Sequence, residues 1–148
     1  MSTDVTVETT VARPRPDVAA WASDPANDMR WIGALESVRV LGAAGEKIAV
    51  GDRVERVARF LGRRIRYVNE VVEHEPDRRL AMRSVEGPFP MTVVYEWEDA
   101  GAGTRMRIRA GGDASGVFRV AGPLLAFMVR RGVARDLRRL RRALESGR

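Results

Sequence analysis

The sequence contains no cysteine, one histidine (His74) and one lysine (Lys47). Without cysteine the chain forms no disulfide, thiolate nucleophile, zinc–thiolate site or iron–sulfur cluster. A single histidine cannot supply a multi-histidine metal site or the H-E-x-x-H helix of a metalloprotease. His74 is therefore the one imidazole available for acid/base chemistry.

Long apolar runs are also absent, because no stretch approaches the roughly eighteen uncharged apolar residues that a spanning helix needs. The first residues, MSTDVTVETT, lack the basic and apolar regions of a signal peptide, so we expect a cytoplasmic protein. The chain has 148 residues, of which 45% are hydrophobic and 31% charged. This length and composition predict one soluble domain over residues 1–148 with its own core.

Motifs for nucleotides are missing as well. Residues 42–47, GAAGEK, lack the G-x-x-x-x-G-K-[ST] spacing of a phosphate-binding loop and its magnesium-binding hydroxyl. We interpret this segment as a flexible turn near the mouth of a cavity. No dinucleotide fingerprint follows any predicted strand, so we expect neither a cofactor nor a metal.

Charge is unbalanced, with 26 basic and 20 acidic residues and a net charge of +6. Arginine supplies nearly all of the positive charge. Scattered over solvated faces, such charge gives solubility and weak attraction rather than a defined site, so no specific nucleic-acid partner is expected. The arginines are dense in the carboxyl-terminal segment.

That carboxyl-terminal segment predicts one long helix from Pro123 to Glu145. Proline suits a first helical turn because its fixed φ and missing N–H cost nothing there. Apolar residues recur at steps of three and four, which gathers them on one stripe. The stripe consists of Leu125, Val129, Gly132, Val133, Leu137, Leu140 and Leu144. At about 1.5 Å per residue the helix is roughly 35 Å long, enough to cross a small domain.

Most of the preceding chain predicts strands, separated by turns rich in glycine, proline and aspartate. We predict strands at residues 3–11, 38–40, 50–61, 64–75, 79–85, 91–98 and 104–110. Two short helices follow the first strand, and Asp24 is the expected cap of the second. Short connections between consecutive strands indicate an antiparallel meander, so the fold class is α+β.

Strand parity separates an inward from a solvated face in the later strands. The inward residues are Leu80, Met82 and Ser84 in the fifth strand, Met91, Val93, Tyr95 and Trp97 in the sixth, and Met106 and Ile108 in the seventh. Both faces of the third strand carry charge. The facing of the third and fourth strands therefore stays open at this point.

Several short motifs occur in a familiar order. They are Asp24-Pro25 and Trp31 after the first strand, Val50-Gly51-Asp52, Phe60-Leu61-Gly62-Arg63-Arg64, Glu75-Pro76-Asp77-Arg78-Arg79-Leu80, Gly87-Pro88-Phe89, Gly103-Thr104 and Asp136-Leu137-Arg138-Arg139-Leu140. In this order the chain resembles the helix-grip fold of the START and pollen-allergen-like (SRPBCC) superfamily. More narrowly, it resembles the polyketide cyclase/dehydrase and lipid-transport family of small bacterial proteins.

The resemblance implies a curved seven-stranded antiparallel sheet wrapped round the long helix, with a hydrophobic cavity between them. Members bind lipids, sterols, polyketides or aromatic metabolites, and a minority act on them as cyclases or dehydratases. Fold alone does not give function, so the activity must be argued from the residues that line the cavity.

We predict a ligand-binding site from the inward residues. Its walls would be Met82, Met91, Val93, Tyr95, Trp97, Met106 and Ile108, its helical side Leu125, Val129 and Val133, and its rim Trp31 and Phe89. Tyr67 and Asn69 join Tyr95 as sparse polar groups that would orient a ligand if the fourth strand turns them inward. The alternative is that each hydroxyl or amide bonds to the backbone, as most buried polar groups do, and has no role in ligand binding.

The leading hypothesis is a protein that binds a small hydrophobic or aromatic molecule. One alternative is a cyclase or dehydratase with Tyr67, Tyr95 or His74 as its acid or base. Another is an interaction module whose arginine-rich helix binds RNA, the ribosome or a membrane. Packing of the helix on its own sheet is favoured over membrane contact. The sequence leaves open whether the protein is a monomer or a homodimer.

Overall fold

A single antiparallel sheet of seven strands forms the framework of the structure, a computed structural model that describes residues 2–41, 48–60, 62–88, 90–113 and 122–146. The strands are β1 Ser2–Val11, β2 Leu35–Leu41, β3 Arg53–Phe60, β4 Arg63–Glu75, β5 Arg79–Glu86, β6 Thr92–Ala100 and β7 Gly103–Asp113. Their order across the sheet is β1-β7-β6-β5-β4-β3-β2. Strands β2 to β7 thus form the predicted meander, and β1 adds to its far edge beside β7.

Tight turns close the hairpins of this meander. Gly101, between β6 and β7, has a φ of 62°, and Gly62, between β3 and β4, has a φ of 76°. Only glycine adopts such left-handed conformations without a steric penalty, which is why the chain reverses at these two positions. The register is regular along β3 and β4, whereas bulges interrupt the pairing of β4 with β5.

Two short helical segments connect β1 to β2, as predicted. Helix α1 spans Arg15–Ser23, and a 3-10 turn at Pro25–Asn27 leads into helix α2, Asp28–Trp31. The Asp24 carboxylate accepts a hydrogen bond of 2.9 Å from the Ala26 backbone N–H. This confirms the predicted cap and fixes the point at which the chain turns back over the sheet.

The long helix, α3, spans Gly122–Glu145 and lies along the concave face of the sheet. Its carboxyl-terminal half packs into a solid core through Leu137, Leu140 and Leu144, each at most 4% exposed. The other members of this part of the core include Val11, Val18, Ala22, Trp97 and Met106. No helix in the described part of the chain is long and apolar enough to cross a membrane.

Polar contacts hold the end of α3 against the connection between β1 and α1. The Ala12 backbone N–H donates to Glu145 Oε2 at 2.8 Å, and Arg13 Nη1 donates to the Leu144 carbonyl at 2.8 Å. The second contact satisfies one of the carbonyls that the last helical turn leaves without a partner. The end of the helix is thereby fixed to the edge of the sheet.

The predicted architecture is confirmed: a curved antiparallel seven-stranded sheet, a long carboxyl-terminal helix and short helices after the first strand. The turn predicted at residues 42–47 lies outside the described residues. The third strand, whose facing the sequence left open, turns Val54, Arg56 and Ala58 inward.

We predict that Leu140→Ala lowers the free energy of unfolding by about 2–5 kcal/mol, because it leaves a hole in a well-packed core. The matched control is Leu124→Ala on the same helix. Leu140 is 0% exposed and Leu124 is 61% exposed, so the control should change the free energy of unfolding by at most about 0.5 kcal/mol. Urea unfolding measures both, and equal effects would contradict the packing described for α3.

Candidate functional site

A cavity of about 260 Å³ lies between the other end of the sheet and the amino-terminal half of α3. Among the described residues its apolar lining consists mainly of Trp31, Ile32, Ala34, Ala58, Phe60, Ile65, Met82, Pro88, Pro90, Met91, Val93, Ile108, Ala110, Val129 and Val133. The polar side chains that reach it include Arg56, Tyr67, Asn69, Ser84, Tyr95 and Asp136. The site is thus mostly apolar with a small polar cluster, the usual composition of a small-molecule pocket.

Most of the residues predicted for the site line this cavity. They are Trp31, Tyr67, Asn69, Met82, Met91, Val93, Tyr95, Ile108, Val129 and Val133. The β4 strand does turn Tyr67 and Asn69 toward the cavity. Trp31, the last residue of α2, does not lie on an open rim, since only 1% of its surface is exposed. Its side chain closes the cavity at that point.

Three predicted residues do not line the cavity. Trp97 and Met106 face inward, but they oppose each other in the register of β6 and β7 at the end of the sheet that the solid core fills. His74 pairs with Leu80 near the turn between β4 and β5 and also lies outside the lining. Phe89 and the side chain of Leu125 lie outside the described part of the chain.

A buried ion pair supports one wall of the cavity, which Arg56 lines. Arg56 on β3 donates two hydrogen bonds to Asp28 Oδ2 on α2, from Nε at 3.0 Å and from Nη2 at 2.7 Å. Asp28 is 2% exposed and Arg56 5% exposed. Burial raises the pKa of Asp28, and the positive charge of Arg56 offsets part of that rise. Paired and hydrogen-bonded in this way, both charges tolerate removal from water.

The two tyrosines and the asparagine supply uncommitted polar groups. Within the described residues, the side chains of Tyr67, Asn69 and Tyr95 form no hydrogen bond. Burial raises the pKa of both tyrosines, and the Asp28 and Asp136 carboxylates raise it further, against an opposing effect of Arg56. Both hydroxyls therefore stay protonated at neutral pH and can donate a hydrogen bond to a guest molecule.

Asp136 on α3 is the titratable group of the cavity. Its Oδ1 accepts a hydrogen bond of 3.1 Å from the Gly33 backbone N–H. Burial raises the pKa of Asp136 from 3.8 to about 6, although the Gly33 hydrogen bond and the charges of Arg139 and Arg135 act to lower it. Its carboxyl group therefore changes charge close to neutral pH, a pKa range that suits a general acid or base.

Aromatic rings connect the hollow and the solid halves of the interior. The ring centroids of Trp31 and Tyr95 lie 5.8 Å apart, and those of Tyr95 and Trp97 lie 6.1 Å apart, both edge to face. The indole nitrogens of Trp31 and Trp97 are buried and have no hydrogen-bond partner among the described residues. Unpaired buried donors are uncommon, and the one on Trp31 belongs to a residue that lines the cavity.

Sequence reasoning missed Asp28, Arg56 and Asp136. Arg56 carried a signal, because it interrupts the apolar inward set of β3 between Val54 and Ala58. Asp136 carried another, because it adjoins the apolar stripe of α3 between Val133 and Leu137. A charged residue at such a position is buried only when a partner meets it, and the partner lies far away in the chain.

The sequence matches the family described as polyketide cyclase / dehydrase and lipid transport over residues 2–145. The chain belongs to this family. No curated protein matches it in sequence. The resemblance on which the predicted fold rested is confirmed.

Solved structures share the helix-grip fold. A Thermus thermophilus protein is 22% identical with a TM-score of 0.82, and the match covers 98% of this chain and 99% of that one. An aromatase/cyclase from Streptomyces is 19% identical with a TM-score of 0.81, covering 98% and 94% of the two chains. A START superfamily protein from Mycobacterium smegmatis is 15% identical with a TM-score of 0.74, covering 97% and 95%. At these identities the likeness shows the fold and leaves the ligand to be argued from the cavity.

We predict that Asp136 makes stability depend on pH. The folded state holds its proton more tightly than the unfolded chain, so its stabilising contribution is full below about pH 4 and is lost as the pH rises through about 6. The difference in unfolding free energy between wild type and Asp136→Asn should therefore favour wild type most at low pH. Urea unfolding across this range measures it. A constant difference would show that the Asp136 pKa is not raised in the folded protein.

Proposed function

We propose that this protein binds a small, mostly apolar molecule that carries one polar group, in the cavity between the sheet and α3. The observation that supports it is the polar cluster in an otherwise apolar lining. Tyr67, Asn69 and Tyr95 have hydrogen-bonding groups without partners among the described residues. A few polar groups in an otherwise apolar lining are what orient a small ligand, and a bound molecule would supply their hydrogen-bond partners.

Cavity volume limits the size of this molecule. An apolar cavity of about 150 Å³ accommodates benzene, and pockets for drug-sized ligands span roughly 300–1,000 Å³. At about 260 Å³ the cavity fits a molecule of two fused rings or a short acyl chain better than a sterol. Met82 and Met91 in the lining are flexible, so the fit is tolerant of shape.

Charge limits the polar group of the ligand. Arg56 uses Nε and Nη2 to bind Asp28, which leaves its Nη1 group free to donate within the described structure. The charge of Asp28 already balances that of Arg56, and Asp136 adds negative charge above about pH 6. A full carboxylate is therefore disfavoured, and a neutral phenol or carbonyl group suits the cluster better.

We predict that 2-naphthol binds to the wild-type protein and that Val93→Trp abolishes this binding, because the indole fills the cavity. Thr92→Trp is the matched control. Thr92 precedes Val93 on β6 but points away from the cavity and is exposed, so this variant should bind like wild type. Isothermal calorimetry and native mass spectrometry measure the binding.

Naphthalene, which lacks the hydroxyl, should bind more weakly than 2-naphthol. Equal affinities would remove the role given to the polar cluster. If aromatic alcohols, fatty acids and sterols all leave the melting temperature of wild type unchanged, the binding function is wrong. Where Val93→Trp does not fold, Ala110→Leu fills the same space from β7.

A second candidate function is catalysis on such a ligand, of the cyclase or dehydratase type. Asp136 favours it, because an acid or base with a pKa of about 6 lies in the same cavity as two protonated tyrosines. The Streptomyces neighbour is an aromatase/cyclase, which shares the fold at 19% identity. Our proposal here is that Asp136 exchanges a proton with the ligand while a tyrosine donates a hydrogen bond to its carbonyl oxygen.

We predict that Tyr95→Phe lowers the turnover of a polyketide-like substrate about 100-fold or more, while the substrate affinity changes by less than about tenfold. The phenol is lost, but the ring that packs against Trp31 and Trp97 remains. Steady-state kinetics and calorimetry separate the two effects. Unchanged turnover would remove Tyr95 from the mechanism.

A further inference from the structure

Helix α3 carries most of the net charge of the protein. It contains seven arginines and two acidic residues, a net charge of +5, whereas the whole chain has a net charge of +6. The remaining residues therefore sum to about +1. The basic character of the protein is a property of one helix and not of the whole surface.

Four of these arginines form a row on the side of α3 that faces away from the core. Arg131, Arg135, Arg138 and Arg142 follow one another at steps of four, three and four residues, and all four are exposed. Residues at these spacings share one face of a helix. The buried residues Leu137, Leu140 and Leu144 lie on the opposite face.

No arginine of this row forms an ion pair within the described residues, although the charge of Arg135 acts to lower the pKa of the neighbouring Asp136. Arginines on the outer face of the sheet are paired instead. Arg107 reaches Glu8 at 3.2 Å, and Arg109 reaches Asp4 at 2.8 Å. The outer face of the sheet thus neutralises its arginines, whereas α3 leaves a row of positive charge available to an anionic partner.

Apolar side chains continue the same row toward the amino terminus of α3. Leu124 is 61% exposed, Phe127 57% and Met128 37%. They lie three, four and seven residues before Arg131, which places them on its face of the helix. The outer stripe, by which we mean these three residues and the four arginines, is apolar at one end and cationic along the rest.

We propose that the outer stripe of α3 docks onto the surface of an anionic phospholipid membrane. Leu124, Phe127 and Met128 would enter the boundary between headgroups and acyl chains, and the arginines would contact the lipid phosphates. A nucleic acid would use the arginines but leave the three apolar side chains in water. A second copy of the chain would bring two rows of like charge together, which opposes self-association through this stripe.

Docking in this way places the cavity beside the membrane. Val129 and Val133, which line the cavity, belong to the same turns of α3 as Met128 and Arg131 but lie on the inner side. The thickness of one helix, about 10 Å, then separates the cavity from the lipid. The docking itself requires no cavity ligand and does not depend on the function proposed above.

The test is sedimentation of the full-length protein with vesicles of phosphatidylcholine containing about one third phosphatidylglycerol, compared with vesicles of phosphatidylcholine alone. We expect binding to the anionic vesicles only, with an affinity that falls as salt rises. Arg131→Gln/Arg135→Gln should weaken it about 30-fold, at about fivefold per arginine. Phe127→Ser should weaken it further, on the order of tenfold.

Matched controls remove equal charge or apolar surface elsewhere. Arg63→Gln/Arg78→Gln changes two exposed arginines that have no ion-pair partner among the described residues, and Val50→Ser changes a side chain that is 61% exposed. Both controls should bind within about threefold of wild type, because neither lies on α3. Circular dichroism and thermal melting confirm that each variant is folded.

Several results would overturn the proposal. One is equal loss of vesicle binding in the two double arginine variants, since net charge alone would then explain it. Another is the absence of binding to anionic vesicles. A third is binding of mixed tRNA that Arg131→Gln/Arg135→Gln abolishes, with no binding to vesicles. That result would assign the stripe to nucleic acid. A dimer that Phe127→Ser dissociates would assign it to self-association.

Discussion

The buried pair of Asp28 and Arg56 is the constraint on which the rest of the interior depends. Two charges that are 2% and 5% exposed cannot separate, because removal of either partner typically costs about 3–5 kcal/mol. Helix α2 must therefore lie over β3, and Trp31, three residues after Asp28, comes with it. The indole then closes one end of the cavity and contacts Tyr95 edge to face. One ion pair thus positions a polar wall and an apolar cap together.

The position of α2 in turn limits how α3 approaches the sheet. The Gly33 backbone N–H, directly after α2, donates to Asp136, and the Arg139 guanidinium lies where a β-carbon on residue 33 would be. A β-carbon there would displace only the flexible end of the Arg139 side chain. Beyond this contact the leucines of α3 fill the interior, and before it the helix stands over the cavity.

Periodicity was sufficient to predict the architecture and most of the cavity lining, for a physical reason. A strand exposes alternate residues to the core, so Met82, Val93, Tyr95 and Ile108 could be assigned to the inner face from their spacing. Parity does not say where along a strand the packed core ends. Trp97 and Met106 were placed in the site because they share that face, yet they lie where α1 and the leucines of α3 leave no space.

The polar residues of the site could not be found by pattern because each depends on a partner distant in sequence. Arg56 meets Asp28 across 28 positions, and Asp136 meets Gly33 across 103. Read alone, Arg56 made the facing of β3 ambiguous, and Asp136 looked like one more charge on an arginine-rich helix. Short-range periodicity predicts which positions face the core and are therefore normally apolar. It does not predict the distant partner that allows a charged residue to occupy such a position.

Helix α3 therefore has two distinct surfaces with different chemistry. Its inner face must be apolar where it packs on the leucine core and can hold Asp136 only where Gly33 and the cavity provide a polar environment. Packing does not require its outer face to be apolar. Surface arginines without ion-pair partners add little to stability. The outer face of the sheet differs, since it pairs its exposed arginines with glutamates and aspartates. An unpaired row on α3 alone, continued by exposed leucine, phenylalanine and methionine, is consequently better explained by a partner than by folding.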